Sequence, residues 1–106
     1  MGRFVIAAFK PKPGKQEQLL AVVAKHWRVL SEQGLVTDRP RYAMQSADGT
    51  VLEVFEWRSA QAIESAHQNT AVHALWAEFE AACEYTPLNA VGESQHLFAE
   101  FEALPM

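Results

Sequence analysis

The stretch Thr50-Val51-Leu52-Glu53-Val54-Phe55-Glu56-Trp57-Arg58-Ser59 decides how the rest of this chain is read. Glu53, Phe55 and Trp57 fall on one side of an extended segment and Leu52 and Val54 on the other, so it is a strand with bulky apolar groups on both faces. After Trp57 the period changes. Ser59 is a good helix N-cap, and Ala62, Ile63 and Ala66, then Val72, Leu75, Trp76, Phe79 and Cys83, recur at helical spacing. Ala62 stands where a capping box wants Glu or Gln, so Ser59 caps alone. A weak point at Gln68-Asn69-Thr70 is expected to bend this long second helix.

Working back from the strand, Asp48-Gly49 reads as a two-residue hairpin turn of the kind that wants positive φ at both positions, joining Thr50–Trp57 to a short strand over Arg41–Ser46. Pro40 keeps Arg39 out of the helical region, so Val36 to Pro40 is an irregular connection. From about Lys15 to Gln33, Leu20, Val23, Trp27 and Leu30 recur at spacings of three and four, with Leu19 and Val22 widening the stripe. Gly34 then supplies a left-handed cap and Leu35 folds back, as in a Schellman closure. Arg3 to Lys10 is a first strand, with Phe4, Ile6 and Ala8 on one face and Val5, Ala7 and Phe9 on the other; Pro11 and Pro13 stop it. Downstream, Pro87 is expected to end the second helix, Leu88 to Ser94 to cross the domain, and His96 to Leu104 to form the last strand.

The order strand, helix, strand, strand, helix, strand is the α+β, ferredoxin-like βαββαβ plan: a four-stranded antiparallel sheet with its helices on one face. An uncovered sheet face should carry polar residues, and here it does not. A second copy packed through a two-fold interface is the simplest cover, so a homodimer is expected. Phe55 and Trp57 are the residues expected in that interface.

Residues 1–106 make one domain, with a core thin enough that self-association would help it. Hydrophobic residues at 49% and charged residues at 21% are globular proportions. A net charge of −4, with scattered Lys and Arg, argues against a nucleic-acid surface, and no apolar run is long enough to span a membrane. Phe4–Phe9 is too short for a signal peptide, so a cytoplasmic location is expected. Cys83, the single cysteine, leaves no intrachain disulfide and no cysteine-based zinc cage; it is read as a small core residue.

Lys12-Pro13-Gly14-Lys15 before the first helix, Glu56-Trp57-Arg58-Ser59 with Ala62 at the second junction, and His67 and Val72-His73 along the second helix resemble the antibiotic biosynthesis monooxygenase-like group of the dimeric α/β-barrel superfamily. The likeness spans roughly residues 3 to 104. The tail from Cys83-Glu84-Tyr85-Thr86-Pro87-Leu88 resembles that of uncharacterised bacterial relatives. The resemblance implies a dimeric α/β barrel and an oxidoreductase that needs no cofactor, acting on a small hydrophobic, aromatic or quinol-type metabolite. Because the group is functionally mixed, a non-catalytic barrel that binds a ligand or has a structural or stress-related role is the alternative. The residues on which the haem-degrading branch relies align with Ala7, Ala66 and Trp76, which disfavours that chemistry here.

Oxygenation without a cofactor needs an electron-rich substrate, a base to take its proton, and a dry pocket with flat walls. His67 and His73 are the candidate bases, since imidazole titrates near neutrality and His73 lies one helical turn from Trp76. Six residues apart, they point to different faces, so no i, i+4 metal pair exists and no metal is expected. Glu53, Phe55, Trp57, Trp76 and Tyr42 are the candidate substrate-binding residues, with Met44 beside Tyr42. Glu53 is also read as the partner of an Arg across the dimer. His26 and Trp27 are read as helix-edge and core residues.

Overall fold

The computed structural model describes all residues, 1–106. In chain order the elements are β1 (Arg3–Pro11), α1 (Gln16–Glu32), β2 (Tyr42–Gln45), β3 (Val51–Trp57), α2 (Ala60–Ala66), α3 (Thr70–Ala82), β4 (Cys83–Thr86) and β5 (Glu102–Ala103). The sheet runs β4-β1-β3-β2-β5, with every neighbouring pair antiparallel. This is the ferredoxin-like arrangement the element order predicts, with a fifth strand of two residues added beyond β2.

Register fixes which side chains share a face. β1 and β3 pair with Val5 opposite Phe55, Ala7 opposite Glu53 and Phe9 opposite Val51. These residues and Trp57 lie beneath the helices, because side chains alternate along a strand. Phe4, Ile6, Ala8, Leu52 and Val54 occupy the other face, and Tyr42 joins them because it pairs opposite Val54.

α1 presents Leu19, Val22, Val23, His26 and Leu30 to the sheet, one stripe of a 3.6-residue period. Its end is the closure the sequence predicts: the Leu35 amide donates to the Leu30 carbonyl (3.0 Å) and the Gly34 amide to the Ser31 carbonyl (2.9 Å). Gly34 has φ 71, a conformation only glycine adopts without strain. The bend in the second helix is a full break. Ser59 Oγ accepts from the Ala62 amide to cap α2, and Asn69 Oδ1 accepts from the Val72 amide to cap α3. Phe79, Leu19, Val22 and Val72 are fully buried between these layers. Each such side chain is worth about 1.5–3 kcal/mol of burial.

Five sequence expectations are corrected. At the hairpin, Gly49 (φ 94) is left-handed but Asp48 is not; the Gly49 amide donates to the Ser46 carbonyl and the Ser46 amide to the Thr50 carbonyl. The turn is therefore the longer kind that ends in a glycine bulge, tied by Asp48 accepting from the Ser46 hydroxyl and the Thr50 amide. The 36–40 connection is not wholly irregular, since Val36 bridges to Trp57 and the Arg58 amide donates to the Leu35 carbonyl. α3 ends at Ala82 rather than at Pro87: Cys83 turns extended, and β4 pairs with β1, placing Tyr85 opposite Phe9 and Glu84 opposite Lys10. A sheet edge in need of a partner overrides the helical spacing of Phe79 and Cys83. The expected strand over 96–104 shrinks to β5.

The fifth correction concerns the faces. Phe55 and Trp57 are buried under the helices, so they cannot form an interface through the open side of the sheet. Two short 3-10 turns carry residues 88–95 across that open side, where Val91 packs on Ala8 and Leu52 with Met44 and Phe101 beside them. Phe4, Ile6 and Tyr42 stay uncovered, at 64%, 50% and 63% exposure.

Candidate functional site

A cavity of about 170 Å³ lies between the sheet and the helices. The β1 residues Val5, Ala7 and Phe9 form its floor with Phe55 and Trp57 of β3. Trp76 and Phe79 of α3, Tyr85 of β4 and His26 of α1 close it. The walls are flat: the Phe9 and Phe79 rings stack at 4.6 Å, and Phe55 lies 5.3 Å from Trp57 between centroids. Eight of the nine lining residues are apolar or aromatic, and His26 is the one that is neither.

His26 is held from behind by two charged partners. Its Nδ1 donates to Glu53 Oε1 at 2.5 Å, and Arg41 Nη1 donates to Glu53 Oε2 at 2.6 Å. Arg41 also donates to the carbonyls of Val23 (2.7 Å) and Ala24 (3.2 Å), tying the approach to β2 to the middle of α1. Glu53 is completely buried. An isolated carboxylate there would be prohibitively costly, and two hydrogen-bonded partners are what make the position tenable. The imidazole sits edge-on to Phe55 (5.4 Å) and Phe79 (4.8 Å), so its plane is fixed as well as its hydrogen bond.

Desolvation first, then the neighbouring Cys83 and Glu80, push the Tyr85 phenol up to about 12. At neutral pH it is a hydrogen-bond donor, not an anion. Cys83, behind it, is pushed up to about 11, by burial first, and is an inert thiol at neutral pH.

Phe55, Trp57 and Trp76 of the expected substrate-binding set do line the cavity, and Glu53 reaches it through His26. Its Arg partner is Arg41 of its own chain rather than one across a dimer. Tyr42 is on the opposite face of the sheet, one residue out of phase with the cavity. His67 and His73 are exposed and stand outside the lining. They meet it only through Trp76, with ring centroids at 5.1 and 6.1 Å, and His73 Nε2 donates to the His67 carbonyl. The helix break at Asn69 brings both to the outer side of that indole.

His26 is the residue sequence reasoning passed over. The signal was there: it falls three residues after Val23 and four before Leu30, on the buried stripe itself.

An antiparallel sheet in the order β4-β1-β3-β2, helices on one side and an aromatic-walled cavity beneath them define a ferredoxin-like α+β domain. The sequence profile of the antibiotic biosynthesis monooxygenase family matches residues 3–78, and the chain belongs to that family. No curated protein and no solved structure matches it.

Proposed function

We propose that this chain is a small monooxygenase, or a related oxidoreductase, that acts without a cofactor on a small hydrophobic, aromatic or quinol-type metabolite, and that it works as a homodimer. The observation that carries the proposal is the cavity walled by Phe55, Trp57 and Trp76, which offers π-faces to a ring and little hydrogen bonding to water. In such a reaction a proton leaves the substrate and the resulting carbanion or phenolate reacts with dioxygen. When a ring CH₂ becomes a carbonyl, one oxygen atom stays in the product and the other leaves as water with the two hydrogens. The substrate supplies all the electrons.

Dimerisation is proposed through the open side of the sheet. Phe4, Ile6 and Tyr42 form an uncovered apolar group there, and Leu97 and Phe98 are also exposed, at 92% and 80%.

Oxygen consumption by the purified protein across a panel of quinols and polyphenols tests the enzyme, with His67→Ala and His73→Ala alongside. A substrate-dependent rate above buffer supports it. Binding of panel members with no oxygen uptake would put a non-catalytic ligand-binding barrel in its place. Full activity in both histidine variants removes the outer pair from the mechanism.

A further inference from the structure

We propose that His26, oriented by Glu53 and Arg41, is the proton acceptor of this cavity, and that the ligand it selects is a single-ring phenol or enol. The inference rests on the enzyme proposal above and names its substrate class and base.

Three observations carry it. The first is which ring nitrogen is free. Glu53 occupies Nδ1, and Nε2 has no hydrogen-bond partner in the protein. Trp27 Nε1 is the one sealed polar side-chain atom without a partner, so His26 Nε2 is not sealed. The ring lines the cavity, and its free nitrogen is the one left to face it. A carboxylate accepting from Nδ1–H fixes the tautomer whose lone pair is on Nε2, the form a base needs.

The second is charge. Arg41 and Glu53 offset each other's charge at 2.6 Å, and Glu53 also faces the imidazole, inside an apolar wall. When a ligand hydroxyl gives its proton to Nε2, the O–H bond breaks, an N–H bond forms, and the imidazolium gains Glu53 as its near counter-charge. The oxyanion stays in hydrogen-bond reach of the new N–H. The other titratable group facing the cavity, Tyr85, keeps its proton at neutral pH and does not compete for the ligand's.

The third is size. An engineered apolar cavity of about 150 Å³ holds one benzene ring, and the cavity here is about 170 Å³. That volume matches one ring with small substituents, and any larger part of a ligand would extend past the exposed Tyr85 towards solvent.

4-Nitrophenol tests this directly, because its anion absorbs at longer wavelength than its neutral form, with toluene as a ring that has no proton to give. Bound to the wild type, the probe is expected to ionise about one pH unit lower than free in solution, a roughly tenfold preference for the anion. His26→Gln is expected to abolish that shift while toluene still binds. Glu53→Gln, whose amide would donate to Nδ1 and turn Nε2 into the protonated nitrogen, is expected to reduce the shift and keep toluene binding. Should His26→Gln fold poorly, wild-type imidazole NMR decides: one histidine becomes imidazolium with 4-nitrophenol and none with toluene. A bound probe that ionises at its free pH, or a full shift in His26→Gln, overturns the assignment of His26 while the cavity stands as a ligand site. If wild type binds neither probe, the assignment and the ligand site fall together.

Discussion

Glu53 and Glu56 sit three residues apart on one strand and point to opposite faces of the sheet, and they show how differently the two sides are built. Glu53 is wholly enclosed under the helices, with His26 and a nearly buried Arg41 as partners. Glu56 accepts from Thr37 and from Arg39, whose side chain is 66% exposed. The Arg39 guanidinium also lies over the Phe4 ring at 5.8 Å, on the open side. The helix side pays for an internal ion pair beside a cavity, whereas the open side pairs its buried glutamate with a solvent-exposed arginine and leaves apolar residues bare. A buried ion pair is weak evidence for stability, because hydrophobic groups often replace one without loss. Its position against an aromatic cavity makes chemistry the better explanation for the helix side, as exposed Phe4, Ile6 and Tyr42 make assembly the better one for the open side.

Breaking each pair should separate the two sides most. Arg41→Ala leaves Glu53 buried with one partner fewer and is expected to cost about 3–5 kcal/mol in urea unfolding. Arg39→Ala removes a cation that is 66% exposed and leaves the buried Glu56 its Thr37 hydroxyl, so it is expected to cost about 1 kcal/mol. Equal losses would contradict the contrast.

On the open side, Ile6→Asp puts an unpaired charge into the proposed dimer contact and is expected to give folded monomers by light scattering. If the chain is monomeric to begin with, the same change should alter stability by only about 0.5 kcal/mol and leave the scattering unchanged.

On the helix side, Ala7→Leu adds bulk to the cavity floor. It is expected to abolish toluene binding while changing unfolding free energy by no more than about 1–2 kcal/mol, since it fills space.

The hairpin supplies the smallest effect. The Ser46 hydroxyl first, then Thr50, lower the Asp48 carboxyl from 3.8 to about 2. A depressed carboxyl stabilises the fold above its unfolded value and loses that contribution as pH falls through the folded one. Asp48→Ala should therefore cost ~1 kcal/mol or less at neutral pH, discounted for the side chain's exposure. The gap to wild type should close as the pH drops from 3.8 towards 2.

Local signals explain what the sequence made legible. Period-two alternation in β1 and β3, the Gly34 closure and the Ser59 cap depend on neighbours within a turn or two, and each is found as expected; the α1 stripe is turned by about one residue, so that Leu19, Val22 and His26 are buried while Leu20 and Trp27 sit at its edge. β4 was hidden because Cys83 continues the spacing of Phe79, and only pairing with β1 pulls it straight. The alternation of Leu97, Ala99 and Phe101 against Phe98, Glu100 and Glu102 resembles a strand, yet only Glu102–Ala103 pairs with β2. Alternation puts Glu53, Phe55 and Trp57 on one face of β3, but whether that face meets the helices or a second copy is not legible from it, and neither is the cluster. His26, Arg41 and Glu53 come from three separate elements, and nothing local says that a histidine on a buried stripe meets a glutamate 27 residues later. Tyr42 was misplaced by the register, which puts it opposite Val54 and so on the open side.

The central claim is that the helix side of the sheet, not its bare apolar side, receives the ligand. Titrating ¹⁵N-labelled protein with 4-nitrophenol while following the indole and imidazole signals tests it most directly. The structure predicts that the Trp57 and Trp76 indoles and the His26 ring shift together, with Trp27, which does not line the cavity, as the internal control. Shifts confined to Phe4, Ile6 and Tyr42, with those three signals unmoved, would contradict it.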